Sequence, residues 1–202
     1  MTNGIRLASA GAIAGGLLWS AAIVLERGFS NLKPGDGTGY YVVQAMAMLA
    51  FIGFLLGVQG LDWLKAVGTG RFGRWPLQAF KIGLVLLILG GMSILITRSD
   101  ESPFFPLGGI IIAVAGVLTG VAVLRTGALV GWRRFTPLLV SLYFVFGMVV
   151  PIIAGPADNG APAPLEFTWG ITWLMLGLAY VAPLIRRTTA PGSTTELTQA
   201  HS

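Results

Sequence analysis

Apolar residues gather along this chain into six long stretches, at about 6–25, 40–64, 77–97, 106–124, 135–155 and 165–185, with short polar segments between them. None of the six shows the strict apolar–polar alternation of a strand. At roughly 1.5 Å of rise per residue, a run of about 20 residues spans a hydrocarbon core of about 30 Å. Inside such a core every backbone polar group must be satisfied within the chain, so runs of this length close their hydrogen bonds as helix. The pattern predicts an all-α membrane bundle of six spans: residues 1–187 as one transmembrane domain and 188–202, rich in Thr and Ser, as a disordered tail. Proline marks several ends: Pro76 and Pro137 suit first helical turns, and Pro103 and Pro106 mark a turn. Pro151 and Pro183 fall inside the last spans, where kinks are expected.

Composition agrees with lipid as the solvent. Only 10% of the 202 residues are charged and 54% are hydrophobic, whereas a soluble domain is about one quarter charged. The charges carry an orientation. Arg6, Lys65, Arg71, Arg74, Lys81, Arg125, Arg133, Arg134, Arg186 and Arg187 belong to one side, and only Arg27, Lys33 and Arg98 to the other. The basic side belongs in the cytoplasm, which sets both termini inside. Cleavage of the first stretch as a signal peptide is disfavoured because its apolar run exceeds the usual length and removing it would break the even span count. Trp63, Trp75 and Trp132 at the inner ends, with Tyr40, Tyr41, Phe104, Phe105 and Trp169 at the outer ends, fit interfacial belts. Trp19 and Tyr143 lie deeper and call for another explanation.

The same composition excludes much chemistry. With no cysteine there are no disulfides, thiolate metal sites or cysteine nucleophiles, and the single histidine, His201, is the penultimate residue. A histidine-ligated haem, a zinc site or a Ser–His–Asp triad has no parts here, and no cofactor is expected. No stretch carries an ionisable residue near its centre, which argues against carboxylate-coupled transport. The net charge of +5 is scattered in short groups beside the apolar runs, so nucleic acid is not a partner. Gly68-Thr69-Gly70-Arg71-Phe72-Gly73 matches G-x-G-x-x-G, but it joins two membrane helices rather than a strand and a helix. Lys65, Arg71, Arg74 and Lys81, extended by Arg133 and Arg134, instead suit anionic lipid headgroups on the cytoplasmic side.

One candidate ligand site remains, at the outer end of the sixth stretch. Glu166, Trp169, Trp173, Gly177 and Tyr180 share one helical face, Thr168 and Thr172 form a polar pair beside it, and Gln44 enters the outer half of the second stretch. An acid beside Trp faces can hold an organic cation through charge and cation–π attraction. Against this stands a plainer use of the same residues, with Trp anchoring the interface and Glu166 capping a helix. Small residues four apart, Gly11 and Gly15, Gly53 and Gly57, Gly116 and Gly120, fit close helix contacts.

The expected function is a non-catalytic membrane module or subunit of a larger complex, with a homo-oligomer or another membrane protein as partner. The alternative is a small-solute transporter or channel with a polar path near stretches two and six. The preference for Arg over Lys, with abundant Gly and Ala, suits a GC-rich genome and so a bacterial cytoplasmic membrane.

Overall fold

The computed structural model describes residues 2–28, 37–97, 102–150 and 163–188, and all the regular structure among them is helical. Six α-helices follow the apolar stretches: α1 (Thr2–Gly28), α2 (Thr38–Trp63), α3 (Arg71–Thr97), α4 (Phe104–Thr126), α5 (Thr136–Phe144) and α6 (Ala163–Thr188). A 3₁₀ turn, Gly131–Phe135, leads into α5, and a π turn, Val145–Val149, extends it. Four helices, α1 to α4, are long and apolar enough to cross a membrane, as in a multi-pass membrane protein. The expected disordered tail, the kink at Pro151 and the acidic residues Asp36, Asp100, Glu101 and Asp158 lie outside the described residues.

Helix α3 begins at Arg71, so Pro76 sits inside it rather than at its start. The cost is small there. Proline withholds one intrahelical donor, and near a helix end the carbonyl left over can be served by solvent. Pro137 does occupy the first turn of α5. Helix α2 ends in a Schellman turn: Lys65 adopts φ 51°, its N–H donates to the Asp62 carbonyl at 2.9 Å, and the Ala66 N–H donates to Leu61 at 2.8 Å.

Each helix packs against its neighbours in chain order, and α6 returns to α1, so the six close into a ring, with α2 also touching α6. Neighbours run antiparallel. Gly4 lies against Trp63 and Gly15 against Ala50, while Ser9 donates to Gly177 and Trp19 to Glu166. Glycine sets the closest approaches, as expected where lipid removes the hydrophobic drive between helices. A Cβ on Gly53 would stand 2.5 Å from the Gly11 carbonyl oxygen and 2.8 Å from the Gly15 Cα. Gly57 meets Ala12 and Trp173, while Gly116 and Gly120 meet Ser141 and Leu138 of α5. All three small-residue pairs therefore lie at contacts inside the bundle.

The outside is apolar. Leu17, Val24, Ile82, Leu89, Val114 and Leu178 are exposed, while the inside holds Phe54, Phe80, Leu84, Ile112, Trp169 and Trp173. An apolar surface around an apolar core is what lipid, rather than water, tolerates.

Candidate functional site

The interior is built from aromatic rings. Trp173 of α6 stacks on Phe54 of α2, with centroids 4.1 Å apart and planes 10° from parallel, and Phe80 of α3 lies 6.3 Å away. One turn earlier, Trp169 meets Trp19 of α1 at 5.0 Å edge-on, Phe54 at 5.1 Å and Phe144 of α5 at 5.0 Å. Edge-to-face and offset contacts of this kind each add about 0.5–1.5 kcal/mol beyond burial. The shared face of α6 foreseen in the sequence therefore exists, but it points into the bundle. Trp169 is 1% exposed, so it is a core residue and not an interfacial anchor.

The polar partners of this face are mostly spoken for. The Glu166 carboxylate accepts from Arg27 at 2.9 Å, and its backbone carbonyl accepts from the Trp19 indole N–H at 2.8 Å. Thr172 donates to the carbonyl of Trp169, in its own preceding turn, at 2.7 Å. Thr119 and Ser141 do the same with Ala115 and Pro137, the usual fate of helical hydroxyls. Tyr180 donates across the ring to the Gly57 carbonyl at 2.8 Å. Two donors stand apart: the buried indole N–H groups of Trp169 and Trp173 have no partner among the described residues.

Two adjoining cavities lie towards the end of the bundle where α1 and α3 finish and α2 and α4 begin. The larger, about 470 Å³, is lined almost wholly by apolar groups, with Trp169, Phe144, Leu87 and Gly109 from four helices. The smaller, about 160 Å³, holds the polar side chains Glu26, Tyr40 and Gln44. Trp19, Phe51 and Phe105 line both. The five candidate ligand residues are thus divided. Gln44 lines the small cavity and Trp169 the large one, while Thr172 and Trp173 are sealed in the core and Glu166 is held by Arg27. Of the acids, Glu26 lines the small cavity together with Trp19. Phe51 and Phe144, which come from other helices, carry no local signal of this role, and Phe105, expected in an interfacial belt, lines both cavities.

At the opposite end the basic residues collect. The Thr126 hydroxyl donates to the Ala66 carbonyl, joining the α2–α3 turn to the end of α4. Lys65, Arg71, Arg74 and Arg134 are exposed there, and Arg133 is half-buried. Arg125 lies 5.0 Å over the Phe72 ring and Arg134 lies 4.7 Å over Phe135. Lys81 differs from the rest, because its ammonium is bound to Asp62 at 2.7 Å. The Gly68–Gly73 segment forms a turn and the start of α3, with no strand before it. Among the described residues no group of three potential metal ligands comes together. No protein-family model, curated protein or solved structure matches the chain.

Proposed function

We propose that the chain is a six-span, non-catalytic membrane module with both termini in the cytoplasm, acting as a subunit or partner within a larger membrane assembly. One observation carries this reading. Where a solute path between α2 and α6 would run, Phe54, Phe80 and Trp173 fill the space, and Trp173 is 0% exposed. The Thr172 hydroxyl bonds to its own helix, and the Tyr180 hydroxyl donates across to the Gly57 carbonyl. The orientation is supported by Lys65, Arg71, Arg74, Arg133 and Arg134 lying at one end, the end at which α1 starts and towards which α6 runs.

The test uses the absence of native cysteine. Single cysteines at Thr172, Gln44 and Lys65, with Lys33 and Asp158 as outer controls, are exposed in intact cells to a membrane-impermeant thiol reagent. The expected result is reaction at Lys33 and Asp158, and protection at Thr172 and Lys65. Reaction at Thr172 would show water reaching mid-bundle and would favour the transporter reading. Reaction at Lys65 from outside would reverse the topology.

A further inference from the structure

The smaller cavity is built unlike the larger one. Four aromatic residues wall it, Trp19, Tyr40, Phe51 and Phe105, together with the acid Glu26 and the amide Gln44. Trp19 and Phe51 stand 5.4 Å apart with planes inclined by 42°, so they form adjoining sides rather than a parallel stack. The Trp19 ring is also held in place by its bond to the Glu166 carbonyl. Among the described residues that line the cavity, Glu26 is the only charged one. It also sits against the field of its own helix. Arg27, in the last turn of α1, and Glu166, in the first turn of α6, lie where helix dipoles favour their signs. Glu26 instead brings a negative charge to the negative end of α1. A charge kept where its own helix disfavours it calls for a use outside that helix.

That charge decides the kind of occupant. Nothing inside so small a space lies far from its wall, so an anion would be repelled. A neutral apolar molecule would strip water from the carboxylate and return nothing. A hard metal ion asks for about six oxygen ligands, which a wall of rings does not supply. A primary ammonium is strongly hydrated and would trade that water for ring surface. A cation that carries methyl groups in place of N–H donors needs no acceptors, and it is attracted by ring faces and carboxylate together. We propose that this cavity binds a trimethylammonium group, its charge balanced by Glu26 and its methyls against Trp19, Tyr40, Phe51 and Phe105. The size agrees. A cavity of about 150 Å³ holds benzene, tetramethylammonium has one heavy atom fewer than benzene, and this cavity measures about 160 Å³. Glu26 is exposed, so the group can enter from the surface, either on a free solute or as the headgroup of a phosphatidylcholine. The proposal concerns binding at one end of the bundle and needs no path through it.

Full-length protein in dodecyl maltoside, a detergent without choline, is titrated with choline at physiological ionic strength. Saturation transfer to the choline methyl protons is read against empty micelles. We expect saturable binding that tetramethylammonium competes away and that 3,3-dimethylbutan-1-ol, the uncharged isostere of choline, does not. Glu26→Gln should raise the Kd about tenfold by removing a charge at close range. Phe105→Leu should raise it about threefold through the loss of one ring. Ala47→Phe, which places a ring in the cavity, should abolish binding. Nanodiscs of mixed phosphatidylcholine and phosphatidylethanolamine separate the two sources by native mass spectrometry. Preferential retention of phosphatidylcholine by the wild type but not by Glu26→Gln identifies a headgroup, and choline binding without such retention identifies a free solute. Absence of both would overturn the proposal, as would an unchanged choline affinity in Glu26→Gln or equal binding of the uncharged isostere. Unchanged binding in Ala47→Phe would place the site elsewhere and overturn it too. If Ala47→Phe does not fold, Glu26→Gln, an isosteric change at an exposed residue, still decides.

Discussion

At the scale of single residues, glycine decides how near the helices come. Gly53 carries no side chain where α1 and α2 cross, and the Gly11 carbonyl and Gly15 backbone occupy the space a side chain would need. Gly53→Val should push α1 from α2 and destabilise the protein by roughly 1–3 kcal/mol, the usual range for overpacking. A thermal-melting series in detergent checks this, with Gly70→Ala as a control because a Cβ there meets nothing within 4 Å. An unchanged melting temperature for Gly53→Val would show that the crossing can yield. The Gly53–Gly57 spacing was visible in the sequence as a small-residue pair. The equally tight approach of Gly16 to the Gly170 carbonyl was not, because residues this far apart form no local pattern.

Among the elements, α6 carries the interior. Its aromatic spacing of three and four residues places Trp169, Trp173 and Tyr180 on one face, and these three are the largest of the fully buried side chains among the described residues. Trp173→Ala removes the ring stacked on Phe54 and should cost about 3–5 kcal/mol. Thr172→Val, one residue earlier, should change stability by less than about 1 kcal/mol, since its hydroxyl bonds only to its own helix. Chemical or thermal unfolding of the two variants side by side tests the contrast; similar losses would mean that Thr172 has a role beyond its own turn. At the N-terminal end of α6, Glu166 has a partner that no local pattern announces. Its position beside two Trp residues suggested a cation box, yet Arg27 of α1, whose side chain is 44% exposed, reaches across and binds it.

For the molecule as a whole, the sidedness of charge has a physical consequence. In the orientation proposed above, the exposed Arg71 and Arg74 meet the headgroups of the inner leaflet, and each basic residue near an anionic surface adds about 1 kcal/mol of attraction. Replacing both by Gln should lower the retention of anionic phospholipid in nanodiscs of mixed composition several-fold per residue, and raised salt should weaken it in the wild type. Lys81→Gln should have a smaller effect, because Asp62 already neutralises Lys81. Equal losses in both variants would show that Lys81 leaves Asp62 for the lipid.

Length, apolarity and charge placement are local quantities, so the sequence alone determined the helical class and the clustering of basic residues in the segments that meet at one end. A membrane imposes these properties segment by segment, through the thickness of its core and the demand for internal hydrogen bonds. Only the tertiary structure decided what the aromatic residues do. Trp19, Phe51, Phe105, Phe144 and Trp169 come from five helices, and nothing in any one helix says that they meet. Packing also turned Trp169 from an expected anchor into a core residue with an unmatched N–H, and gave Glu166 to Arg27. Such outcomes depend on which helices are neighbours and how each is rotated, and low-complexity apolar sequence specifies that through scattered small and large side chains rather than through any motif.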